Sequence, residues 1–220
     1  LSTGLIEELY RRPKVRASFS FITDDSSTIY FTANDKSEDS YSVYKMNLTD
    51  NSIETVYDGK GAWYVADEKN DGERIMLVKY NGAKQNEYFD YDTKTKELHP
   101  VIGQNEQEEY DVSYAPKDNQ YLVLSNKTTD FKRLYLLANG QLKQLTEDLN
   151  YEIAGFSLDH KNTRIIYSIN REGFSDIKGL DAKTFKPISI PKLPIKNAKI
   201  NHIFAASTTR DGKVTMLGII

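Results

Sequence analysis

Ser157, Asp159 and His160 fall side by side in Gly155-Phe156-Ser157-Leu158-Asp159-His160, and a second glycine-led serine follows in Gly173-Phe174-Ser175-Asp176. These residue types suit acyl transfer: a serine hydroxyl as nucleophile, a histidine as its base and an aspartate to orient that base. Geometry assembles such a triad, however, and a nucleophile elbow reads Gly-x-Ser-x-Gly at a strand-to-helix turn. Residue 159 is Asp where the second glycine would stand, and no helical period follows. Gly173-Phe174-Ser175 falls in a hairpin, where glycine supplies the bend. The sequence therefore predicts no catalytic residue. His99, His160 and His202 stand apart, without the spacing of metal ligands, and cysteine is absent, which removes disulfides and thiol chemistry. Neither a metal nor a cofactor site is expected.

The net charge of −3, with both signs interspersed, gives no electrostatic bias toward nucleic acid. The longest apolar runs, such as 134–138, fall far short of the roughly 20 residues that span a bilayer. A chain without cysteine is tolerated in reducing and oxidising compartments alike, so the compartment stays open. The sequence opens at Leu1 with neither methionine nor a leader pattern, which reads as a cut or processed start.

The elements that must position these residues announce themselves by repetition. Strand-like runs at 17–22, 28–33, 41–47 and 53–57 are separated by turn residues, and the same order returns at 62–65, 74–80, 87–91 and 97–102. It returns again at 110–114, 121–125, 133–137 and 141–145, then at 153–157, 164–168, 176–180 and 185–190. A last copy starts at 200–206 and stops within 213–220. Asp25, Asp71, Asp118, Asn162 and Asp211 mark the turn before each second strand, with spacings of 46, 47, 44 and 49 residues. Asp and Asn suit that place because they tolerate positive φ. Beside them recur Ile29-Tyr30-Phe31, Ile75-Met76-Leu77, Leu122-Val123-Leu124 and Ile165-Ile166-Tyr167. A β-sandwich shares the strand density but not this constant register. The fold class is all-β: a β-propeller of four-stranded antiparallel blades at about 17–60, 61–105, 106–148 and 149–194, with 195–220 an incomplete blade.

The words inside this frame resemble those of a family. Residues 167–177, with Asn170-Arg171-Glu172-Gly173-Phe174-Ser175, lead through Leu180-Asp181-Ala182-Lys183-Thr184 to Ile190-Pro191-Lys192-Leu193-Pro194. They look like the later propeller blades of prolyl oligopeptidase-family serine peptidases. Ser113-Tyr114-Ala115-Pro116-Lys117-Asp118 and Thr208-Thr209-Arg210-Asp211-Gly212-Lys213 are similar to the Ser-Pro-Asp-Gly-Lys hairpin shared by that family and the periplasmic TolB propellers. The resemblance implies a noncatalytic propeller covering a separate α/β-hydrolase domain, absent from this chain, and limiting access to short peptides. It also implies a ring of seven blades, of which about four and a half are present, with residues 5–9 an outer strand of a preceding blade. Open blade edges then predict self-association or coverage by further strands.

In a propeller the fourth-to-first and second-to-third strand loops share one face, here 104–109, 126–130 and 170–172. Glu108 and Glu109 resemble the paired glutamates that hold a peptide amino terminus in the family's dipeptidyl members, without their aspartate-tryptophan lead or third glutamate. Asn126 lies in the same loop set. Arg171 and Glu172 occupy a hairpin tip, where arginine can bind a substrate carboxylate or a hydrolase domain bidentately. Trp63, Tyr64, Tyr114 and Phe156 are expected to pack between blades. The leading expectation is a region that gates peptides for a hydrolase domain; the alternative is a TolB-like or WD-like scaffold that binds a protein partner.

Overall fold

Runs of β-branched, aromatic and aliphatic residues broken by Asn, Asp and Gly can pair only as strands and tight turns. In the computed structural model every regular element among the described residues is accordingly a strand, eighteen in all. The structure describes Gly4, Ile6 and residues 8–190, 203–209, 211, 213 and 215–219. The chain divides into two units, Leu1–Glu108 and Glu109–Ile220.

In the first unit, β1 (Ala17–Ile22), β2 (Thr28–Ser37), β3 (Ser40–Asn47) and β4 (Ile53–Tyr57) form one antiparallel meander. A second comprises β5 (Ala62–Lys69), β6 (Arg74–Tyr80), β7 (Asn86–Asp92) and β8 (Leu98–Ile102). In the second unit, β9 (Tyr110–Tyr114), β10 (Gln120–Ser125), β11 (Arg133–Ala138) and β12 (Gln141–Gln144) form a third sheet. The fourth holds β13 (Glu152–Leu158), β14 (Arg164–Arg171), β15 (Phe174–Asp181) and β16 (Pro187–Ile188), and β17 (Ile203–Thr208) pairs with β18 (Thr215–Ile219). The expected architecture of four-stranded antiparallel sheets is the one the chain adopts.

The recurrent apolar triplets are explained by burial on both faces of a sheet. In β2, Tyr30 joins Val43, Val56, Trp63, Ile75, Leu77 and Tyr91 in a core shared by the first two sheets. Its neighbour Phe31 turns to the opposite face, with Ala33, Tyr44 and Met46. In the second unit Leu122, Leu124 and Leu134 pack with Ile153, Ile165, Tyr167 and Leu180 between the third and fourth sheets, and Phe156 packs against them. Trp63 is buried as expected, while Tyr64 stacks obliquely on Tyr41 at 5.1 Å.

Three features depart from the sequence reading, and a fourth, the contact between the first two sheets, adds to it. Ile6, Glu8 and Leu9 lie in no strand, and Leu5 and Glu7 lie outside the described residues. Tyr10 and Val15 instead cover the Phe31–Met46 face of the first sheet, with the Tyr10 and Phe31 ring centroids 4.9 Å apart. Two of the marker residues, Asp71 (φ 59) and Asn162 (φ 53), are left-handed, but beside Asp25 and Asp118 that conformation falls on Ser26 (φ 60) and Asn119 (φ 56). Asp25 acts through its carboxylate, which accepts Thr23 Oγ1–H at 2.7 Å and Ser27 N–H at 2.9 Å. The expected outer strand 185–190 is reduced to β16, because Pro187 has no N–H to extend the ladder. Finally, the first two sheets are joined by one parallel pair, Tyr41 with Ala62, where Tyr41 N–H donates to the Gly61 carbonyl at 3.0 Å. That pair brings a second-to-third strand turn and a fourth-to-first strand loop to the same edge. His202, Pro191-Lys192-Leu193-Pro194, Arg210 and Gly212 lie outside the described residues.

Candidate functional site

The hydrolase-like stretch is resolved into hairpin chemistry. Asp159 follows β13, is 5% exposed, and spends its carboxylate on its own turn. Oδ1 accepts Thr163 N–H at 2.6 Å and Arg164 N–H at 3.0 Å, and Oδ2 accepts the Thr163 hydroxyl at 2.6 Å. Burial pushes this carboxyl upward, but the Thr163 and Arg164 hydrogen bonds and the Arg164 charge outweigh it and hold it below the ordinary aspartate range. His160 points to solvent and Ser157 lies half-buried within β13, so the three form no relay.

The second unit carries a connected polar row along the edge formed by the starts of β9, β11 and β13 and the β14–β15 turn. Glu109, immediately before β9, pairs with Lys132 at 2.8 Å. Asp111, next on β9, is exposed to solvent yet crowded by protein. Desolvation raises its carboxyl above the ordinary value, and the Lys132 charge opposes the shift. Arg133, the first residue of β11, is 3% exposed. Its Nη1 donates to the carbonyls of Lys132 and Tyr151, each at 2.9 Å, and Nη2 donates to the Leu149 carbonyl. Its Nε is buried without a hydrogen-bond partner. Arginine suits this place because its planar fork serves several acceptors at once.

Arg133 thereby pins the backbone of Tyr151, whose ring receives the hairpin tip. The Arg171 guanidinium lies 5.0 Å from the Tyr151 ring centroid, a cation–π contact, and 3.6 Å from Asp176 Oδ2. The Tyr151 hydroxyl donates to Glu172 Oε1 at 3.4 Å. Glu172 itself is left-handed (φ 54), the backbone form the tip requires.

Of the residues singled out in the sequence, Glu109, Arg171 and Glu172 lie on this row, although Glu109 is engaged by Lys132. Glu108 ends the first unit, half-buried. Asn126 is exposed at the start of the loop leading to β11; its carbonyl accepts Thr129 N–H at 3.3 Å, and the loop is fastened further on by Thr128 Oγ1 and the Tyr135 hydroxyl at 2.6 Å. Sequence reasoning missed Asp111, Lys132, Arg133 and Tyr151. The one available signal was a cation, Arg133, heading the apolar run Leu134-Tyr135-Leu136-Leu137. Chemically, the row offers guanidinium, ammonium, phenol and carboxylate groups suited to binding a polar chain, and no nucleophile beside a base.

No family model matches the chain, and no curated protein matches it. Among solved structures, 92% of the chain matches 35% of a prolyl endopeptidase, with 13% identity and a TM-score of 0.65. TolB from Acinetobacter baumannii matches over 90% of this chain and 50% of its own, with 20% identity and a TM-score of 0.59. A puromycin-hydrolyzing peptidase of Mycobacterium tuberculosis matches over 88% of this chain and 33% of its own, with 13% identity and a TM-score of 0.63. The chain thus spans about a third of each peptidase and half of TolB. At these identities the likeness is one of fold, and the fold is the β-propeller.

Proposed function

We propose that this chain is a noncatalytic propeller region that selects or gates peptides for a hydrolase domain outside it, in the manner its resemblance to prolyl oligopeptidase-like enzymes implies. The observation that carries the reading is the coverage: nearly the whole chain corresponds to about a third of a prolyl endopeptidase. The row from Glu109 and Lys132 to Arg171 and Glu172 supports it, being an edge of fixed, oppositely charged groups that can meet the termini of a short peptide. The TolB likeness, with 20% identity, favours a second reading, a scaffold that docks a protein partner.

The reading frame after Ile220 separates the two. A following α/β domain with Gly-x-Ser-x-Gly, then Asp, then His is the outcome expected for the peptidase reading; a stop codon within one further blade overturns it. The purified chain is expected to turn over no chromogenic peptide ester. In a parent enzyme, Arg171→Gln is expected to raise KM for charged short peptides several-fold and leave kcat unchanged, since it removes binding made equally in ground and transition states.

A further inference from the structure

The core shared by the first two sheets is open at one end. Tyr30, Lys45 and Glu54 lie in a cross-strand row on β2, β3 and β4. Opposite them stand the β5–β6 turn with Asp71 and Gly72 and the β7–β8 turn with Lys94 and Lys96. Two adjoining cavities of about 290 and 360 Å³ fill the gap and share Tyr30, Lys45, Glu54 and Asp71.

Tyr30 is the unusual member. It is 6% exposed, with its ring stacked on Phe21 at a centroid distance of 4.2 Å, yet its hydroxyl has no hydrogen-bond partner among the described residues. The hydroxyl lies over Gly72, where a Cβ would come within 2.8 Å of its oxygen and where φ is +86°. Burial, followed by the charges of Asp71, Glu54 and Glu68, raises the phenol above its ordinary value, which leaves it a neutral donor. The hydroxyl stands at the cavity wall, where a ligand acceptor can take the hydrogen bond that no described residue takes.

The charges around it are sorted. Lys45 pairs with Glu54 at 2.9 Å, and Lys94 pairs with Glu73. Asp71 Oδ1 accepts Asp24 N–H at 2.6 Å, and Oδ2 has no partner among the described residues. Lys96, exposed on its turn, makes no ion pair among the described residues. One carboxylate oxygen, one ammonium and one phenol are therefore left for a ligand. The three lysines and three carboxylates lining the first cavity cancel, which disfavours polyanions and polycations alike. The volumes stand at the lower end of small-molecule sites.

We propose that this cleft binds a zwitterionic ligand of amino-acid or dipeptide size, its ammonium at Asp71 and its carboxylate at Lys96 and the Tyr30 hydroxyl. The site lies wholly in the first unit and does not depend on the reading of the row in the second.

Calorimetric titration of the whole chain with glycylglycine, its N-acetyl derivative and its C-terminal amide tests the assignment. Free glycylglycine is expected to bind, with each blocked form at least about tenfold weaker. Tyr30→Phe is expected to weaken binding roughly tenfold, the scale of one hydrogen bond to a charged group, with unchanged thermal unfolding. Asp71→Asn should erase the preference against the acetylated form, and Lys96→Gln that against the amide. Absence of binding at millimolar glycylglycine, equal binding of all three forms, or unaltered binding by Lys96→Gln overturns the proposal. Lys96 sits on an exposed turn, so its variant decides the matter even if Tyr30→Phe fails to fold.

Discussion

At the scale of single residues, Arg133 and Asp159 do structural work that their exposed counterparts elsewhere in the chain cannot. Arg133 is a buried cation whose visible partners are backbone carbonyls, so removing it orphans the acceptors at Leu149 and Tyr151 and frees the segment carrying the Tyr151 ring. Charge-assisted hydrogen bonds of this kind are worth about 1.5–3 kcal/mol each. Arg133→Met is therefore expected to lower the unfolding free energy by about 3 kcal/mol in urea titrations, and Arg133→Lys by less, since it keeps the charge but loses the fork. An unchanged urea midpoint for Arg133→Met would show the carbonyls to be satisfied without it. Asp159 gives a pH signature. Its folded-state carboxyl lies below its ordinary value, so its contribution is complete above the unfolded value of about 3.9 and fades as pH falls through the folded one. Asp159→Asn should cost about 1–2 kcal/mol at pH 7, with the gap from the unaltered chain closing in acid. A gap that stays constant down to pH 2 would assign the loss to something other than this ionisation.

At the scale of elements, the hairpins repeat a chemistry more regular than the marker residues suggested. Asp92 and Asp181 close their third-to-fourth strand turns alike: Asp92 Oδ1 accepts the N–H groups of Lys94 and Thr95, and Asp181 Oδ1 those of Lys183 and Thr184. The left-handed residues Lys96 (φ 63) and Phe185 (φ 56) follow at the same offset. The shared Asp-x-Lys-Thr spelling was in view in the sequence, whereas the bulges in β1, β5 and β13 were not. A bulge slips the in-out alternation of its strand by one residue, and in strands of six to eight residues too few positions lie on either side for the slip to be read. Where backbone meets backbone the tolerance is least. Gly103, after β8, has φ +95°, and a Cβ there would collide with the Asn86 carbonyl oxygen. Gly103→Ala is expected to cost about 2–4 kcal/mol from the combined strain and clash, read as a lower urea midpoint with an unchanged slope. A loss under 0.5 kcal/mol would mean that the β7–β8 pairing yields readily at that end.

At the scale of the whole chain, strand order and sheet composition were legible because sheets buried on both faces demand continuous apolar triplets, and Ile75-Met76-Leu77 or Leu122-Val123-Leu124 can hardly be placed otherwise. The candidate row was only half legible. Arg171 and Glu172 stand at a readable hairpin tip, but Arg133 is marked only by heading an apolar run, which does not reveal its carbonyl partners, and the sequence separation of Tyr151 from Arg171 hides their contact. The segment before β1 was misread for a similar reason. Tyr10 and Val15 cover the face formed by Phe31, Ala33, Tyr44 and Met46, and Arg12 reaches the Asp35 carboxylate at 2.7 Å, beside the Tyr44 hydroxyl. That phenol is pushed up to about 12, chiefly by burial and by its hydrogen bond to Asp35, so it remains a donor at any physiological pH. The segment thus shields an apolar sheet face that, uncovered, invites association with another chain. Removal of residues 1–16 is expected to give a chain that still forms its sheets, binds a hydrophobic dye and sediments as concentration-dependent oligomers, while the unaltered chain associates less at every concentration. Equal sedimentation of the two would place the adhesive surface elsewhere, the exposed strand β1 with Phe19 at 66% exposure being the next surface to alter.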